Sequence, residues 1–311
     1  MPPVTSYNAI LINQSHKIYV IAGPTAVGKT TVAISLAQQL GTGIVSADSR
    51  QCYREMSIGT AKPSAAELQA VKHYFIDEFP VTKALTAADY ESLALKYLDE
   101  IFAGHNTAVI CGGTGLYIQA LCEGLDEMPQ TDSNIVTQTE QAYAQYGLEW
   151  LQQAVLQEDP EFYRQGEIQN PARMLRALSF IRSTGKSITQ YKTQTKKTRP
   201  FKIIKAGLEL PREVLYARIN DRVDSMMEHG LLTEVENLLE YRHLKNLQTV
   251  GYSELFDFID GKYSLQQAIE KIKQHTRNYA KRQMTWFKKD SEINWFGADE
   301  EGLVEKILSL K

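Results

Sequence analysis

Gly23, Pro24, Thr25, Ala26, Val27, Gly28, Lys29 and Thr30 spell a complete G-x-x-x-x-G-K-[ST] loop, and this feature restricts the fold more than any other. The loop can work only between the end of a buried strand and the start of a helix. There its amide hydrogens and the positive end of the helix meet phosphate oxygens. Lys29 adds a full charge, and the Thr30 hydroxyl is a candidate ligand for Mg2+. A ligand carrying a phosphate chain is therefore expected.

The flanks supply both required elements. Residues 18–22 are an apolar run, and Val32, Ala33, Leu36, Ala37 and Leu40 follow with helical spacing. Residues 44–47 and 108–111 read as further buried strands, the latter ending at Gly112-Gly113. Strands alternating with helices predict an α/β fold, a phosphate-loop-type parallel sheet flanked by helices, with ligands beyond the carboxyl ends of the strands. Asp48 and Thr114 fall just past such ends. From residue 123 to 205 the strand signal stops, and a mainly helical insertion is expected. The catalytic core is then 1–122 with 206–311. Residues 203–210 look like a strand returning to the sheet, followed by helices through Leu215, Ile219, Val223 and Met226, through Leu239, and over 265–287.

Of the 311 residues 43% are hydrophobic and 23% charged, which fits a globular protein and excludes a disordered or fibrous chain. No run reaches membrane-spanning length, and the first 17 residues lack the pattern of a secretory signal, so a cytoplasmic location without a membrane is expected. Cys52, Cys111 and Cys122 match neither a disulfide framework nor a zinc spacing. The net charge of −3 conceals an uneven distribution. Residues 164–205 carry eleven Lys and Arg against one acid, and residues 265–290 carry seven against two. Basic tracts in an otherwise acidic chain suit a polyanion such as nucleic acid, although solvated helix faces have the same composition. In the second tract Lys273, Arg277 and Lys281 recur on one helical face, with Ile269, Ile272, Ala280 and Phe287 on another. Trp286 and Phe287 are expected in the core.

Two further segments belong to the same rim. SADSRQCY, with Asp48 at its third position, and IGTAKP follow the second strand, and GGTGLY follows the third. Asp48 could accept a proton, bind a metal through water, or cap a helix. On these residues alone an ATP-dependent small-molecule or nucleoside kinase, or a nucleotide-dependent RNA-binding switch, remains open.

Taken together, GPTAVGKT, DSRQCY with IGTAKP, ICGGTGLY, RMLRAL from Arg173 and KRQMTWF from Lys281 are similar in order and spacing to the tRNA dimethylallyltransferases, the bacterial tRNA prenyltransferase family. The resemblance runs from residue 18 to 296. It implies transfer of a dimethylallyl group from dimethylallyl pyrophosphate to the exocyclic amine of the adenosine 3′ of the anticodon, in tRNAs that read U-initial codons, with Mg2+ present. A monomer is expected. It further implies that the phosphate loop, Arg218 and Arg222 hold the pyrophosphate, that Asp48 is the base, and that Lys29 and Arg222 assist the departing group. Asp48, Ser49, Arg50, Gln51 and Thr114 would contact the flipped base and its neighbours. Ala172, Arg173, Met174, Leu175 and Arg176 would grip the anticodon stem-loop, helped by Arg277, Lys281 and Arg282. The chain departs from the family pattern at Val136, Ala172 and Ser253, positions that the resemblance would otherwise assign to tRNA contacts.

Overall fold

The computed structural model describes residues 16–166, 168–193 and 195–311. The reading of the N-terminal residues as free of a targeting signal falls mainly outside them.

Six strands form one parallel sheet in the order β3-β2-β4-β1-β5-β6. They are β1 (Lys17–Ala22), β2 (Ile44–Ser46), β3 (His73–Tyr74), β4 (Thr107–Gly112), β5 (Lys202–Glu209) and β6 (Ile293–Gly297). Alternation along β1 shows why the sheet is covered on both sides. Ile18, Val20 and Ala22 enter one apolar core, while Tyr19 and Ile21 enter the other. The helices in chain order are α1 (Lys29–Leu40), α2 (Ala65–Ala70), α3 (Ala87–Phe102), α4 (Gly115–Glu123), α5 (Ser133–Glu158), α6 (Pro160–Gln165), α7 (Pro171–Thr184), α8 (Arg212–Glu228), α9 (Leu231–Glu236), α10 (Tyr252–Ile259), α11 (Leu265–Phe287) and α12 (Leu303–Leu308). With β1 central, the chain segments leaving β1, β2 and β4 emerge side by side at one edge.

The chain divides into two compact units, one holding the residues up to Glu123 and again from Thr198, the other Gly124–Lys197. The second boundary corrects the expected end of the insertion at 205. β5 already begins at Lys202, and Arg199 belongs to the core because its guanidinium donates to the carbonyls of Leu121 and Ala120 and to Glu91, each at 2.7 Å.

The insertion has its own core, built by Leu151, Val155, Phe162, Met174, Leu178 and Phe180. Its longest helix, α5, breaks direction at Gly147, where φ is 77°. Met174 is completely buried, which overturns the reading of its side chain as a tRNA contact, and Leu175 packs partly buried against the same cluster. Helical spacing explains this: Met174, Ala177 and Leu178 share the inward face, and Ala172, Arg173 and Arg176 lie on the exposed one. Part of the basic tract is structural as well. Arg182 forms a fork with Glu158 at 2.6 and 2.8 Å, and the buried Lys205 in the core unit holds Asp290 and Glu292. No described helix is long and apolar enough to cross a membrane.

Candidate active site

The phosphate loop leaves β1 at Gly23, whose φ of 147° and close approach to the Leu208 carbonyl exclude a side chain. Ala26 also adopts a positive φ, 64°, and Gly28 at 105° starts α1 without any side-chain cap. The first amides of α1 therefore have no internal acceptor and are available to an anion. Ala26 and Val27 are the loop residues whose side chains enter the hydrophobic core. The Lys29 ammonium folds back to the Pro24 carbonyl at 2.7 Å. Burial, with a smaller contribution from the Arg222 guanidinium, pushes its pKa down to about 8 against the opposing pull of Cys111 and Asp48. An anion arriving here would raise that pKa again and hold the ammonium charged.

Thr25, Ala26, Gly28, Lys29 and Thr30 line a cleft of about 280 Å³, together with Asp48, Gln51, Thr60, Ala61, Lys62, Pro63, Cys111, Gly113, Arg222, Tyr279 and Gln283. Arg222 comes from α8 and is desolvated, which lowers its pKa. One turn earlier Arg218 reaches the Gly28 side of the loop but pairs with Asp299 at 2.8 Å and is 41% exposed. Arg222 therefore joins Lys29 inside the cleft, where the third lining cation, Lys62, is already paired with Asp77, and Arg218 stands at its border.

Asp48 follows β2 and caps a turn, where a helix cap was one of the expected roles. Its Oδ1 accepts the amides of Arg50 at 2.8 Å and Gln51 at 3.2 Å, capping the turn. Among the described residues no hydrogen bond falls on Oδ2, and the side chain lines the cleft. Gln51 donates from Nε2 to the carbonyls of Thr60 and Ala61, each at 3.2 Å. Arg50 donates to the Ser49 carbonyl at 3.0 Å, and its buried Nε has no partner among the described residues. The Thr114 hydroxyl accepts the Ser49 amide at 3.1 Å and also bonds Tyr279, so it ties the segment after β2 to α11.

Sequence reasoning did not single out Gln283 or Tyr279, both on α11. Gln283 Oε1 accepts the Thr25 amide at 2.9 Å and Nε2 donates to the Gly113 carbonyl at 2.8 Å, so one amide group fixes the phosphate loop against the GGTG loop. Burial raises the Tyr279 pKa to about 12, leaving a neutral phenol beside Thr114. The only available signal was the KRQMTWF segment itself, which contains Gln283.

The cationic stripe expected on α11 is mostly occupied. Lys273 pairs with Asp224 at 2.7 Å, and Arg277 donates to Asn220 at 2.7 Å. Lys281 and Arg282 are exposed, the latter over the Tyr279 ring at 5.7 Å. Phe287 is buried as expected. Trp286 is not: it is 40% exposed, and its ring lies against Gly115, where a β-carbon would collide with it.

A family model described as IPP transferase matches residues 51–290. The tRNA dimethylallyltransferase 1 of Bacteroides thetaiotaomicron is 46% identical over 94% of this chain and 96% of its own. That of Cytophaga hutchinsonii is 45% identical over 91% and 93%. The chain belongs to the IPP transferase family. It is an enzyme of that type, and the fold agrees: the full-length tRNA isopentenylpyrophosphate transferase of Bacillus halodurans has a TM-score of 0.69 at 35% identity, covering 94% of this chain and 93% of that one. A eukaryotic dimethylallyltransferase acting on tRNA reaches a TM-score of 0.74 at 25% identity over 91% and 74%. The family match begins at Gln51, past the phosphate loop, whereas the IPP transferase relatives span nearly the whole chain.

Among the described residues no group of three His, Cys, Asp or Glu could cage a metal. A magnesium ion needs no such cage when it keeps its waters and takes its remaining ligands from substrate phosphates. The Thr30 hydroxyl on the cleft wall fits that donor set.

Proposed function

We propose that this chain transfers the dimethylallyl group of dimethylallyl pyrophosphate to the exocyclic amine of an adenosine in tRNA, the one 3′ of the anticodon in tRNAs reading U-initial codons. The observation that carries the reading is the convergence of Lys29, Arg222 and Asp48 on one cleft floored by the uncapped start of α1. Two cations and a row of amides suit a departing pyrophosphate, and a carboxylate across from them suits the incoming amine.

An adenine amine is a weak nucleophile because its lone pair is delocalised into the ring. Most of the assistance must therefore go to the leaving group. As the allylic carbon–oxygen bond breaks, charge grows on the pyrophosphate, and Lys29, Arg222 and the loop amides stabilise it without having to reorient. The carbon–nitrogen bond forms as the amine proton passes to Asp48, which lines the cleft and whose Oδ1 is held by two amides while Oδ2 carries no hydrogen bond among the described residues. Magnesium bound at Thr30 and the pyrophosphate would supply further neutralisation of that charge. The adenine must leave its stack to enter the cleft. The exposed arginines of α7 and the exposed Lys281 and Arg282 of α11 are suited to gripping the RNA backbone. The chain is taken to act as a monomer in the cytoplasm, and the molar mass at assay concentrations, measured by light scattering, tests the first point.

Incubation with labelled dimethylallyl pyrophosphate and unmodified tRNA should place label on the RNA and release pyrophosphate. ATP hydrolysis without label transfer would overturn the assignment in favour of a kinase-like activity.

A further inference from the structure

One wall of the cleft is a loop that the mechanism above leaves without a role. Thr60, Ala61, Lys62 and Pro63, the second half of IGTAKP, line it opposite the phosphate loop. Residues 57–61 have little regular structure of their own, and Ala61 adopts a positive φ of 49°. Such a segment keeps its shape only if something outside it satisfies its amides.

A single carboxylate does so. Glu234, on α9, accepts the amides of Ser57 at 2.9 Å and Ile58 at 2.7 Å on Oε2, and that of Gly59 at 3.0 Å on Oε1. The same Oε1 takes the hydroxyl of Tyr252 at 2.7 Å. Tyr252 is completely buried and lies flush on Gly59, where a β-carbon would sit 2.6 Å from its ring. The loop is thus held from above by a carboxylate and from the side by an aromatic face. This also gives GYSE, the segment departing from the family pattern at Ser253, a use in the core: Tyr252 steadies the loop, and Glu254 caps α10 through the Gly251 amide at 2.8 Å.

The restraint extends to the reacting groups. The carbonyls of Thr60 and Ala61 both accept from Gln51 Nε2, and the Gln51 amide is held by Asp48 Oδ1. The line from Glu234 to Asp48 therefore consists of the loop backbone and one glutamine. The phosphate loop has a separate support in Gln283.

We infer that Glu234, assisted by Tyr252, is a positioning residue that fixes the IGTAKP loop and through Gln51 the carboxylate of Asp48, so that it sets the rate of transfer rather than the affinity for the prenyl donor. The inference rests on the proposed role of Asp48.

The test is a single-turnover measurement on Glu234→Ala, Glu234→Gln and Tyr252→Phe, with hydrogen exchange followed at residues 57–61 and 23–30. For Glu234→Ala the transfer rate constant should fall by about 10- to 100-fold with the reaction amplitude retained, as a slight misplacement of reacting groups causes. Donor KM should stay near its original value. Exchange should accelerate at 57–61 and not at 23–30. Glu234→Gln, which keeps one acceptor oxygen, should recover part of the rate. Tyr252→Phe loses one hydroxyl but keeps the packing on Gly59, so it should fold and slow transfer by only about threefold, in keeping with one hydrogen bond. Unchanged exchange at 57–61 would overturn the inference, and so would faster exchange with an unchanged rate constant. A loss of amplitude alone would mark Glu234 as merely structural and also overturn it. Asp48→Ala in the same series separates the two readings: if it transfers at the original rate, the role of Asp48 fails, whereas if Asp48→Ala is slow and Glu234→Ala is not, only the present inference fails.

Discussion

The cleft at the strand ends and the outer face of α7 both present basic side chains, yet they hold them in opposite ways. Lys29 and Arg222 are drawn into a desolvated cleft, and burial lowers the pKa of each. Ala172, Arg173 and Arg176 lie on an exposed face, with Met174 turned into the insertion's core behind them. A cation in a confined cleft interacts strongly with whatever charge develops beside it, whereas one on an open face acts over a distance set by salt screening. The first arrangement should therefore control rate and donor binding, and the second RNA affinity.

The largest expected effect lies in the cleft. Asp48→Ala should reduce single-turnover transfer by about 10²- to 10⁴-fold while leaving tRNA and pyrophosphate binding largely intact, and a rate close to the original would remove Asp48 from the chemistry. Next, Lys29→Ala should lower kcat/KM for the donor by about 10²- to 10³-fold with tRNA affinity preserved. Thr30→Ala should act in the same direction. Equal losses of donor and tRNA binding would dissolve the distinction between the two regions.

On the insertion the expected losses are smaller and of another kind. Arg173→Ala and Arg176→Ala should each weaken tRNA binding by about 1–3 kcal/mol and flatten its salt dependence, without moving donor KM. Met174→Ala sharpens the contrast, since it should destabilise the insertion by about 2–5 kcal/mol in thermal unfolding while keeping the salt slope. An unaltered slope in both arginine variants would reject α7 as the RNA grip.

The smallest effect concerns pH. Lys29 titrates near 8 in the folded protein and at 10.5 ordinarily, so its charge is present below about 8 and lost as pH rises through it. Donor affinity should accordingly fall above that pH, by at most about tenfold per unit, and Lys29→Arg should abolish the fall. The same shift makes the contribution of Lys29 to stability rise with pH between these two values, because there the unfolded chain binds the proton and the folded one does not.

The loop motif and the apolar runs made the central strands, α1 and the helical insertion readable before any coordinates, because burial on both sheet faces demands continuous apolar stretches. β3, with two residues, and β6, whose run is INWFG, carry too little of that pattern. At the site, Lys29 was legible in the loop motif, Asp48 in its place past the second strand, and Arg222 through the family resemblance, whereas Gln283 and Glu234 were not. Each acts by bonding to backbone groups of a distant segment, and no periodicity encodes that. Trp286 and Phe287 were read alike, although neighbours on a helix point about 100° apart and only one can face inward. For Lys273 and Arg277 the helical face was right, but spacing could not reveal that α8 places Asp224 and Asn220 against it.

The strand order has a consequence for how the chain matures. β1 is the first of the described strands to be synthesised and sits in the middle of the finished sheet, where Lys17 pairs with Lys202 on one side and Thr107 on the other. At translation rates of about 5–20 residues per second, β5 emerges on the order of ten seconds after β1. During that interval the insertion, closed by its own cluster of Leu151, Phe162 and Leu178, can fold from local contacts, while β1, paired with β4 on one side only, presents an unpaired apolar edge. The nascent chain is thus most vulnerable to aggregation midway through synthesis, and it is the arrival of β5, rather than any step at the cleft, that ends this exposure.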